Sequence, residues 1–175
     1  MLQITEEKLK DWWEERANQV LSNFKFNYPH EIDLYEICWR YGIKIKVLKD
    51  TLSDNIEAFS ISNNIRTQRG IIFIKKNLPV PLERVILAEE FCHLYSHYVD
   101  QTNVDVLEIG KTELQAKRMA AYILMPTHFL IKKLSVIHNH NYIVSEIAEH
   151  FIVTEEFANY RLKLFFSHHK PNIYS

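Results

Sequence analysis

Two helix-forming stretches, about 82–98 and 112–124, constrain how the middle of this chain can fold. The first follows Pro79 and Pro81 and carries Glu89, His93 and His97 at i, i+4 and i+8. That spacing makes a stripe that drifts slowly along one helical face, because each residue advances about 100°. The second begins near Glu113 and ends at Met125-Pro126, since a proline pushes the residue before it out of the helical region. Its Ala116, Ala120 and Ala121 are small enough to permit close approach of a neighbouring helix. Packed together, the two stretches bring Glu113, twenty residues beyond His93 in the chain, close to that histidine.

The run Glu89-Glu90-Phe91-Cys92-His93 has the layout H-E-x-x-H with one letter changed. In H-E-x-x-H, two histidines at i and i+4 hold zinc and the intervening glutamate acts as general base. Glu90 and His93 stand at the positions of that base and the second histidine, and Glu89 stands at the first. A carboxylate is an accepted zinc ligand, but its charge makes the metal a poorer Lewis acid. The change is compatible with binding and unfavourable for hydrolysis. Other readings stay open. A solvated helix face accounts for E-E-x-x-H taken alone, and an acidic residue in a first helical turn, favoured by the dipole, accounts for Glu113 taken alone. In a different register His93 and His97 form the ligand pair with Glu113 as the carboxylate. Leu94 then stands where the base belongs.

Around this centre the pattern predicts an α+β chain. Leu9, Trp12, Trp13, Arg16, Ala17, Val20, Leu21 and Phe24 predict an amphipathic helix over 5–24, with Thr5 near its start. Asp33 with Glu36 three positions on predicts a capping box and a helix over 33–41, stopped by Gly42. Strands follow at 43–47, 58–61 and 71–74, the last two joined by a turn holding Asn63, Asn64 and Gly70. Lys44, Lys46, Lys75 and Lys76 mark solvent faces or edges. Shorter helices are predicted at 127–135, 143–151 and 154–166. The expected organisation is a domain over 1–135, a three-stranded sheet packed on helices, with a helix-turn-helix-like extension over 136–175 packed on it.

Composition excludes several function classes. The net charge is −1 at pH 7, so no basic surface is forced of the kind a nucleic-acid binder usually shows. The helices over 143–166 still raise the question of DNA binding. Glu155 and Glu156 at the start of the second oppose it, and only Arg161 and Lys163 offer positive charge there. Cys38 and Cys92 each fall within an apolar helical pattern, which argues for a reducing compartment and against a disulfide framework. The first residues are amphipathic and acidic with no signal-peptide core, and no run approaches the ~18–20 apolar residues of a membrane span. A cytoplasmic protein is expected. His138, His140, His150, His168 and His169 fall in loop or tail, where surface or capping roles are expected. Tyr95, Tyr98 and Tyr122 flank the expected cleft as core aromatics or as oxyanion donors.

Together, EEFCHLYSH and ELQAKRMAAYILMP resemble the two central motifs of the ImmA/IrrE family of metallo-endopeptidases. Those motifs are a helix H-E-L-G-H-x-x-x-H and a helix E-x-E-A-N-x-F-A-x-x-L-L-M-P. The resemblance extends over about residues 10–164 and includes the close IVSEIAEHFIVTEEFANYRL. It implies a zincin-like fold and a zinc ion, with manganese an alternative. It implies Glu90 as base and His93 and Glu113 as ligands, with Glu89 at the first ligand position and His97 lining the cleft. Cys92 stands at the motif's glycine and Lys117 at its Asn or Asp, which bears on how the ligands are supported. The resemblance further implies a protein partner, a helix-turn-helix repressor of prophage or mobile-element type, cleaved at one bond to switch on transcription. A family member with weakened or lost catalysis, acting as a repressor-binding regulator, is the alternative.

Overall fold

The computed structural model describes residues 11–48, 56–65, 68–96, 106–137 and 143–168. Helix α1 spans Trp12–Leu21. Asp11 caps it by accepting from the Trp13 N–H at 3.0 Å. The expected start at Thr5 lies outside the described residues. Helix α2 spans Leu34–Arg40, and the Asp33 carboxylate accepts from the N–H groups of Tyr35 and Glu36, which is the Asp33 half of the expected capping box; the Glu36 carboxylate instead accepts from Arg40 Nη2 at 3.2 Å. Gly42 follows with φ 70°, a left-handed conformation that reverses the chain directly into strand β1, Ile43–Val47.

Strands β2, Ala58–Ile65, and β3, Gln68–Ile74, complete a mixed sheet of order β1-β3-β2. β3 pairs parallel with β1, Ile43 opposite Gly70, and antiparallel with β2, Ile61 opposite Ile71. The strands outrun the sequence expectation. Asn63 and Asn64 belong to β2 and Gly70 to β3, because backbone ladder bonds extend pairing into polar residues that carry no hydrophobic signal. Gly70 has a packing role instead of a turn role. A Cβ there would stand 2.5 Å from the Ile61 carbonyl oxygen and 2.8 Å from a Leu94 methyl. Gly70→Ala is therefore expected to destabilise the fold by about 1–3 kcal/mol. A urea midpoint unchanged from the parent would show that sheet and helix have room to separate there.

Helix α3, Val80–Ser96, buries Val85, Leu87, Ala88, Phe91, Cys92 and Leu94. Helix α4, Val106–Leu124, buries Ala116, Ala120 and Ala121 against the core, as their size predicts. Met125-Pro126 breaks the chain before α5, Thr127–Leu134. Helices α6, Ile143–Phe151, and α7, Glu155–His168, close the order. Ile152 turns between them at φ 53°, and the Val153 N–H bonds the Ala148 carbonyl at 3.0 Å. Phe151, Phe157, Ala158 and Leu162 share one buried cluster with residues of α3 and α4. Seven helices and a three-stranded mixed sheet among the described residues make the fold α+β, as expected. Among the described residues, no helix is long and apolar enough to cross a membrane.

A polar knot ties the helices together beneath this core. Asp11 accepts from Arg118 Nε at 2.8 Å and from the Tyr122 hydroxyl. Burial alone would raise the Asp11 carboxyl. The hydrogen bonds from Tyr122, Arg118 and Trp13 outweigh it and hold the group below its ordinary value of 3.8. A depressed folded value gives stability that is complete above 3.8 and is lost as pH falls through the folded value. Asp11→Asn removes that part. Thermal melts should therefore show the gap between wild type and variant narrowing below about pH 4. A constant gap across that range would refute the assignment.

Candidate metal centre

Helices α3 and α4 build the centre between them. Glu89 and His93 lie one turn apart on α3, and Glu113 and Lys117 lie one turn apart on α4. His93 Nε2 stands 3.2 Å from Glu113 Oε2. The histidine is mostly covered, with its side chain 17% exposed, and the carboxylate reaches it from a 64% exposed position. One turn back on α3 and one turn on along α4, Glu89 and Lys117 interact electrostatically. Burial pushes the Glu89 carboxyl up to about 7. Lys117 opposes that rise, and Glu113, Glu90 and Glu156 add to it.

The juxtaposition of His93 and Glu113 predicted from Ala116 and Ala120 is thus present. Glu90 is partly buried beside Glu89 on the same helix. The third donor does not converge as the side chains stand: among the described residues no three His, Cys, Asp or Glu side chains form a group that could hold an ion. A metal held by all three requires the Glu89 carboxylate to join the His93–Glu113 pair. His97 and Tyr98 lie outside the described residues, and the register through His97 lies there with them.

The donor set nevertheless fits a divalent cation in kind. One imidazole nitrogen and two carboxylates are ligand types that zinc and manganese accept. The 3.2 Å between Nε2 and Oε2 is roughly the spacing of two donors that share one tetrahedral ion at about 2.0–2.1 Å each. Three carboxylates, those of Glu90, Glu113 and Glu156, act on the Glu89 position, opposed among the described residues by Lys117.

Other candidates are assigned elsewhere. Cys92 is fully buried and burial raises its thiol well above the ordinary range, and Cys38 is pushed up to about 12. Both are free and both are poor thiolates, as inert core cysteines should be. The Tyr122 hydroxyl is committed to Asp11, so it is no oxyanion donor. Tyr95 packs against Phe91 and Tyr41, with the guanidinium groups of Arg16 and Arg69 over its ring at 5.0 and 5.3 Å. The DNA reading loses one of its two cations, because Arg161 is only 1% exposed. Its Nε donates to the Met125 carbonyl at 3.1 Å and its Nη2 to Thr127 Oγ1 at 2.8 Å.

Sequence reasoning missed Glu156 and Tyr160. Lys117 Nζ donates to Glu156 Oε1 at 3.2 Å and lies 5.4 Å from the centroid of the Tyr160 ring. The i, i+4 spacing of these two residues on α7 was the available signal, but nothing local says that this face looks onto the Glu89 position.

Over residues 38–163 the chain matches the Peptidase_M78 family, described as an IrrE N-terminal-like domain. That family implies a metallopeptidase and a metal, typically zinc. Among solved structures the chain is similar to a Mycobacterium tuberculosis transcriptional regulator, with a TM-score of 0.60 and 14% identity. The match covers 86% of this chain and 46% of that one, and at this identity it shows the fold alone. No curated protein sequence matches the chain.

Proposed function

The chain belongs to the Peptidase_M78 family of IrrE N-terminal-like domains, and from that premise we propose a site-specific metallo-endopeptidase that cleaves a helix-turn-helix transcriptional repressor. Support comes chiefly from the 3.2 Å approach of His93 and Glu113 across two helices, inside a surplus of carboxylates. In this reading Glu89, His93 and Glu113 hold zinc or manganese. When bound, that ion supplies the Lewis acidity that peptide hydrolysis needs. Glu90, one residue off the ligand stripe, takes the proton from the attacking water and returns it to the leaving amine. The protein partner follows from the family resemblance and from a net charge of −1, which gives no general attraction to nucleic acid.

The test is metal content together with cleavage. Protein purified without chelator should carry about one divalent ion per chain and cut its cognate repressor at one bond, and chelation should stop the cutting. Metal-free protein that neither zinc nor manganese makes active would overturn the reading.

A second reading has its own observation. Glu89 stands where the motif has a histidine, burial pushes its carboxyl up to about 7, and its charge would make a bound metal a poorer Lewis acid. A family member with reduced catalysis would then act as a repressor-binding regulator. Glu89→His separates the two: proteolysis rising at least about tenfold marks the natural site as attenuated, and unchanged or lower proteolysis marks the carboxylate as the proper ligand.

A further inference from the structure

Lys117 is the cation that α4 points at the site, and its surroundings are unequal. On one side lies Glu156, whose side chain is 85% exposed, at 3.2 Å. An ion pair with so exposed a carboxylate is screened by water and holds the ammonium weakly. Glu89, one turn before His93 on α3 and within electrostatic reach of Lys117, is partly buried. Charges interact more strongly there, where less water separates them. The Tyr160 ring lies with its centroid 5.4 Å from Nζ. Lysine suits such a position, being a single charge on a flexible stem.

We propose that Lys117 is a built-in cation that competes with the divalent metal for the Glu89 carboxylate, and that Glu156 on α7 limits the competition by holding the ammonium away. This rests on the metal-centre reading given above and makes α7 part of the site's regulation. A partner that engages the start of α7 and draws Glu156 away would release Lys117 toward Glu89 and weaken metal binding. Lys117 is a positioning residue in this scheme, since it acts on the metal through Glu89.

The experiment measures zinc and manganese affinity of the full chain by calorimetry. Lys117→Met keeps an unbranched apolar stem and removes the charge, and it should tighten binding about tenfold. Lys117→Arg keeps the charge and should leave the affinity near that of wild type. Glu156→Gln should weaken binding in the wild-type background and lose most of that effect in the Lys117→Met background. Lys117→Gln repeats the comparison if the methionine variant folds poorly. Equal affinities for wild type and Lys117→Met overturn the proposal while leaving the peptidase reading standing. So does a Glu156→Gln effect of the same size in both backgrounds, which would be a plain loss of negative charge. Metal bound by Lys117→Met and not by wild type upholds the proposal and removes the native peptidase reading. Absence of metal from both overturns both.

Discussion

Glu90→Gln should sharply slow repressor cleavage while leaving metal affinity within a few-fold of wild type. Glutamine has nearly the shape of glutamate, so the helix and the neighbouring Glu89 and His93 keep their positions. What is lost is a group able to take a proton from water and hand it to the leaving nitrogen. General acid–base participation contributes about 10²–10⁴ in rate, and the variant should fall by that factor in kcat. The paired measurement matters. A fall in kcat with metal retained assigns Glu90 as the base, whereas loss of metal with activity would make it a ligand. Cleavage at an undiminished rate would remove Glu90 from the chemistry altogether.

Arg161→Met should be the most destabilising single change, at about 3–4 kcal/mol. The guanidinium is 1% exposed and lies 4.4 Å from the centroid of the Tyr122 ring. Burial pushes it down to about 10, so it remains a cation at neutral pH. Its two directed bonds, to the Met125 carbonyl and to Thr127 Oγ1, hold α7 against the break between α4 and α5. Thr127 in turn donates to Glu14 on α1. Methionine fills the volume but leaves a buried carbonyl without its donor. Lysine is expected to rescue poorly, because one ammonium on a flexible stem lacks the fixed fork that meets both acceptors. Urea unfolding checks the magnitude, and a loss under about 1 kcal/mol would show that water replaces the missing donor at little cost. Since α7 carries Glu156 and Tyr160, the same variant should also disturb the Lys117 contacts.

Much of this architecture was legible in local sequence. Asp33 caps α2 and Gly42 ends it because capping and left-handed turns depend on one residue and its near neighbours. Val80–Ser96 and the helix ending at Met125-Pro126 follow from apolar periodicity and from proline's sterics. The approach of His93 to Glu113 was legible for the same reason, since alanines at helical spacing permit two helices to come close. The ends of β2 and β3 were not, because their pairing continues through polar residues whose only reason to be extended is the partner strand. The role of Gly70 was hidden as well, for the atoms that exclude a side chain there belong to β2 and α3.

The sequence by itself determined which residue types stand at the candidate site: Glu89, Glu90, His93, Glu113 and Lys117, four possible donors and one cation on two helices. Helical spacing is a local property, so their order along α3 and α4 follows from the chain alone. Only the tertiary structure decided how those charges are shared. Burial raises the Glu89 carboxyl, α7 brings Glu156 to Lys117, and the same helix sinks Arg161 into the core where DNA cannot reach it. Each of these depends on what surrounds a group in space, and the strength of a charge's interactions is set by that surrounding medium.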